Sequence, residues 1–189
     1  METVKMNRGH IFFFIIFAAA TLSTGSSFAE ESQASKVFER LKGLEGTWTG
    51  FARQTSGEPH HDGADEEMSV LHEFRVSAAG SVVMEIMGPD SPYEMINMYH
   101  LDGQDLVLTH YCAAGNQPTM KLNPAAGSTD NLVFEFTGGT NFDPDVDHHI
   151  HSSRIIFSGE GTLESYWTSY REGRQEAEMQ FSLKRSTDQ

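Results

Sequence analysis

Residues 148–184 read HHIHSSRIIFSGEGTLESYWTSYREGRQEAEMQFSLK, three runs of about ten residues parted by glycine turns at Gly159-Glu160 and Glu172-Gly173. Apolar side chains recur at every second position in Ile155 and Phe157 and again in Met179, Phe181 and Leu183, the period of a strand with one buried face. If both turns are two-residue hairpin loops, Phe157 pairs with Thr162, Ile155 with Glu164, Ser153 with Tyr166 and His151 with Thr168. Across the next turn Thr162 meets Leu183, Glu164 meets Phe181 and Tyr166 meets Met179. The face bearing Ile155, Phe157, Phe181 and Leu183 is then the interior one, and His149, His151, Glu164 and Tyr166 share it.

The same punctuation extends towards the N-terminus. Short runs rich in β-branched and aromatic residues lie at about 46–54, 66–77, 81–88, 94–101, 104–113, 118–123, 131–137, 148–158, 161–171 and 174–184. One helix precedes them, with Val37, Phe38, Leu41 and Leu44 at helical spacing over 32–44 and Gly43 to Gly46 to end it. Serial strands with tight turns make an antiparallel meander, and closure into a barrel leaves no exposed edge. The expected fold is therefore all-β, an up-and-down antiparallel barrel of about ten strands with a short N-terminal helix.

The N-terminus reads as an address. Lys5 and Arg8 precede the apolar run Ile11 to Ala20, and Ser27-Phe28-Ala29 supplies a small-residue cleavage site. The expected division is a cleaved signal peptide over 1–29, a segment with the short helix over 30–45, the barrel over 46–185 and a tail over 186–189. Export to the periplasm or the medium follows from that reading, without stable membrane insertion after cleavage. The chain has 13 Lys and Arg against 27 Asp and Glu; without Lys5, Arg8 and Glu2 there remain 11 and 26, a net charge of −15. Such a surface argues against nucleic acid and attracts cations. Cys112 is the single cysteine, so no internal disulfide supports the core.

Strand counting then gathers candidate ligands. In an up-and-down order the end of the fifth strand and the start of the second and eighth fall at one mouth, which brings His72, His110, Cys112, His149 and His151 below one rim, with Met95 beside them. In the hairpin over 94–113, Met95, Asn97 and Tyr99 share a face with Leu106, Leu108, His110 and Cys112, the set taken as interior. Imidazoles suit zinc, copper or iron, and His110, His149 and His151 would hold a metal with one position open. Taken singly, His72, His100 or His110 reads as a hydrogen-bonded core group. His60, His61, Asp62 and Asp65 read as a solvated loop. Methionines such as Met84, Met87, Met95, Met98 and Met120 fill a core, or line a cavity for an apolar ligand or Cu(I). Nucleophilic catalysis lacks a motif; a hydrolase would need a metal-activated water with Glu164 or Glu85 as base.

Gly46-Thr47-Trp48-Thr49-Gly50, entering the first strand after a short helix, resembles the Gly-x-Trp opening of the calycin barrels: lipocalins, fatty-acid-binding proteins and haem-binding barrels such as nitrobindin. The resemblance implies that Trp48 packs at the closed end under a basic residue of the last strand, here Lys184 or Arg185. Thr109-His110-Tyr111-Cys112, Gly115-Asn116-Gln117-Pro118 and Gly138-Gly139-Thr140-Asn141 are similar to stretches of uncharacterised secreted bacterial lipocalin-like proteins, which implies the fold and location but no activity. Nitrobindin-like barrels hold haem iron on a late-strand histidine, which implies His149 or His151. A cupin's His-x-His needs a glutamate shortly after it, where Ile155 and Ile156 stand.

The reading is an exported barrel that binds a small apolar molecule, haem or a divalent transition metal at a histidine-lined mouth. Its ligand-binding candidates are His72, Met95, His110, Cys112, His149, His151, Glu164 and Tyr166. The alternatives are a metal-dependent enzyme using the histidines, or a filled barrel serving as a structural or interaction module.

Overall fold

Ser32 caps the helix that the 32–44 pattern predicts: its hydroxyl accepts the Ser35 N–H at 3.1 Å, and α1 runs Gln33–Lys42 to a stop at Gly43. Ala34, Val37, Phe38 and Leu41 form one buried stripe that joins the barrel core. The computed structural model describes residues 31–57 and 67–187. The expected signal peptide and the His60-His61 loop lie outside the described residues.

After α1 come ten strands: β1 (Gly46–Gly57), β2 (Met68–Ser77), β3 (Val82–Met87), β4 (Met95–Asp102), β5 (Asp105–Tyr111), β6 (Gln117–Leu122), β7 (Asn131–Thr140), β8 (His149–Gly159), β9 (Thr162–Arg171) and β10 (Arg174–Arg185). Each pairs antiparallel with its neighbours in sequence, and β1 pairs with β10 to close the barrel. The all-β barrel expected from the alternation is what the chain forms.

Closure is local and tight. Trp48 pairs with Arg185, whose guanidinium carbon lies 4.6 Å from the centre of the indole ring. Arg185 also donates to the carbonyls of Gly43 and Glu45, each at 2.5 Å, and the Trp48 indole N–H donates to the Leu44 carbonyl at 2.7 Å. The end of α1, the start of β1 and the end of β10 are thereby tied at one point. Gly50 lets β1 and β10 approach, since a Cβ there would stand 1.9 Å from the Ser182 carbonyl oxygen.

One expectation about register fails, for a physical reason. The β8–β9 loop turns at Glu160-Gly161, with Gly159 opposite Thr162, and a bulge between Phe157 and Gly159 adds a residue to β8. Phe157 therefore meets Leu163, Ile155 meets Ser165 and Ser153 meets Trp167. A second bulge, between Gln175 and Ala177 of β10, restores the parity, so Met179, Phe181 and Leu183 face inward as expected. β9 is inverted along its length. Leu163, Ser165, Trp167 and Ser169 are buried, whereas Glu164 and Tyr166 point outward, the Tyr166 hydroxyl donating to Glu164 at 3.0 Å under the Arg154 guanidinium.

This register makes a direct prediction for stability. Leu163→Ala should cost about 2–5 kcal/mol and Glu164→Ala less than about 1 kcal/mol in urea unfolding, the reverse of what the two-residue loop would give.

Candidate functional site

Within the half of the barrel away from Trp48 lies a cavity of about 190 Å³. Its wall is mostly apolar: Met87, Met95, Trp167, Met179 and Phe181, with His110 and Cys112 from β5 and its end. His148, Ile150, Ser169 and Ala177 complete the lining.

Behind this wall stands a fully paired buried carboxylate. Glu85 alternates inward with Val83 and Met87 on β3 and is 2% exposed. One of its oxygens accepts from His72 Nδ1 at 2.8 Å; the other accepts the Asn97 amide at 2.8 Å and the Tyr99 hydroxyl at 2.7 Å. Burial alone would raise its pKa. The bond and charge of His72, then the bonds from Tyr99 and Asn97, outweigh burial and hold the carboxyl below its ordinary value. Tyr99 responds oppositely: burial and the adjacent Glu85 charge push its phenol well above the usual range, so it remains a donor.

These bonds dictate the next one. Because a carboxylate only accepts, the Asn97 nitrogen must face Glu85 and its oxygen must face His110, whose Nδ1 lies 2.7 Å away. His110 Nδ1 is therefore the protonated nitrogen. Burial lowers the His110 pKa to about 4 against the opposing pull of Glu85, with a lesser lowering from the nearby His148, so the ring is neutral. Its Nε2 carries a bare lone pair, is buried and has no hydrogen-bond partner.

The His-x-His pair stands elsewhere. A bulge in β8 between Ile150 and Ser152 adds one residue, so Ile150 pairs with inward Ser169 and His149 pairs with outward Tyr170. Ile150 and His148 thus take the cavity side that His149 and His151 were expected to hold. β7 pairs with β8 only from Asn131 to Glu135. Where the strands part, His149 and His151 join a cluster of rings: His151 stacks on Tyr170 at 4.0 Å and Phe136 at 4.7 Å, and His149 lies 4.8 Å from Phe142. His149 Nδ1 donates to the Asp147 carbonyl at 2.9 Å, leaving its Nε2 to accept from His151 Nδ1 at 3.1 Å. Three of the four ring nitrogens are thereby occupied with each other and the backbone.

Of the eight candidates, Met95, His110 and Cys112 line the cavity, and His72 supports it through Glu85. His149, His151, Glu164 and Tyr166 do not line it. Glu164 instead borders a concavity of about 700 Å³ on the outer wall, over β9, β10, β1 and β2, where Ser69, Ser158 and Ser182 are its neighbours. The structure does not bring His110 together with His149 and His151. Among the described residues no group of three or more His, Cys, Asp or Glu side chains is placed to hold a metal ion. The strand ends do converge as counted, because the Asn116 amide after β5 donates to the His148 carbonyl at 2.6 Å.

Sequence reasoning gave Glu85 only a passing role and left out Trp167 and His148. The signal for Glu85 was a lone carboxylate at an inward position of the run Val82–Met87. Trp167 and His148 were hidden by single-residue bulges, which no residue type announces.

The His110 environment sets a pH dependence. Its folded pKa lies below the ordinary 6.5, so the unfolded chain takes up the proton first. The corresponding stability is fully present above about pH 6.5 and falls away as pH drops towards 4, by about 3 kcal/mol. Urea unfolding between pH 4 and 7 should show this slope in the parent and a shallower one in His110→Gln, which keeps a donor for Asn97. His151, also shifted down by burial and by His149, contributes with the same sign in both proteins. No protein-family model matches the chain, nor does any curated protein, so its functional reading rests on this geometry.

Proposed function

We propose that the protein is an exported binding barrel that holds a compact, largely apolar small molecule in the interior cavity. The observation that carries this reading is a cavity of about 190 Å³ walled by thioethers and aromatic rings, inside a barrel with a buried apolar core. An engineered cavity of about 150 Å³ accommodates benzene, whereas drug-sized ligands occupy roughly 300–1,000 Å³. The volume supports a ligand of one or two small rings over a haem macrocycle. The scatter of the histidines favours an organic ligand over an imidazole-bound metal ion. The leader pattern around Lys5 to Ala29 supports export, and the acidic surface disfavours nucleic acid as a partner.

Ala177, 5% exposed, borders the cavity and offers a way to fill it. Ligand-observed NMR with benzene or toluene should detect binding to the parent protein and at least tenfold weaker binding to Ala177→Leu, with circular dichroism unchanged. Equal binding by both proteins would place the ligand outside the cavity.

A further inference from the structure

The cavity's polar requirement is narrower than its apolar lining suggests. We infer that it selects neutral, single-ring hydrogen-bond donors of the phenol or azole type, and that His110 Nε2 is the acceptor that holds them. This rests on the binding reading above and names its ligand class.

The acceptor role follows from the chain of bonds. Glu85 orients the Asn97 amide, the Asn97 oxygen accepts from His110 Nδ1–H and so fixes that tautomer, and Nε2 is left as a lone pair that can only accept. A buried acceptor without a donor is costly in the empty protein, and a ligand O–H or N–H removes that cost. Each other polar residue on the lining already has a hydrogen-bond partner. The Ser169 hydroxyl donates to the Ala177 carbonyl at 3.4 Å, His148 Nδ1 pairs with Glu176 at 2.5 Å, and Cys112 Sγ receives the Ala114 N–H at 3.5 Å. One unmatched acceptor in an apolar wall asks for one donor.

Charge narrows the class further. No unpaired cation faces the cavity to meet an anion: His110 stays neutral, His148 is met by the Glu176 carboxylate, and behind the wall His72 is met by the Glu85 carboxylate. That carboxylate is answered by three donors, so it offers no open counter-charge to a ligand cation. The ring preference comes from Met87, Met95 and Met179 together with Trp167, whose ring centre lies 5.5 Å from that of His110. Thioethers and ring faces favour a flat, polarisable partner.

Isothermal titration of the protein with phenol, toluene, benzoate and Cu(I), alongside His110→Phe, tests the assignment. Phenol should bind about tenfold or more tightly than toluene, and His110→Phe should bring phenol down to the toluene level while toluene affinity holds. In the parent protein the ¹⁵N resonance of His110 Nε2 should shift as it accepts the bond, a readout that needs no variant to fold. Equal phenol and toluene affinities with a static Nε2 resonance would overturn the donor assignment and leave the cavity reading intact. Preferential binding of benzoate would overturn it in favour of an anion site, and of Cu(I) in favour of a thioether metal site. Failure of phenol and toluene alike would remove the binding reading itself.

Discussion

A carboxylate buried inside a β-barrel must be met by donors from several strands at once, and Glu85 sets that constraint here. Its partners come from β2 and β4, the strands on either side of β3. An ionised carboxyl stripped of water is tolerable only with all its partners in place, so the relative positions of three adjacent strands are fixed by chemistry as well as by packing. The consequence reaches a fourth strand. Asn97, held by Glu85, decides which nitrogen of His110 bears the proton, and that decides what the cavity can offer a guest.

The architecture was legible because it depends on periodicity, which survives small errors. Alternation identified ten strands within about three residues of their bounds, and the inward set Asn97, Tyr99, Leu106, Leu108 and His110 follows from parity alone. The candidate site was legible only where parity was uninterrupted. Three bulges, after Phe157, after Ile150 and after Gln175, each shift one strand by a residue and exchange its faces. Bulges form where local twist and packing favour an extra residue, and nothing in Ser158, His151 or Glu176 marks them beforehand.

The conspicuous motif and the chemically open group prove to be different residues. His149 and His151 draw notice by spacing, yet they are consumed by stacking and by each other. His110 stands alone in sequence, yet it is the imidazole left with a free lone pair beside a cavity. Availability is a property of the network around a side chain, and pattern alone carries little of it.

The Trp48–Arg185 contact joins residues near the two ends of the barrel's sequence. Among the described residues every other strand pair links neighbours along the chain, so β1 and β10 form their single long-range seam. A chain emerging from its N-terminus can zip its hairpins one after another, but β1 keeps an unpaired edge until β10 is complete. Completion of the barrel therefore waits for β10, and loss of that strand would leave an open, aggregation-prone sheet where a closed vessel should be.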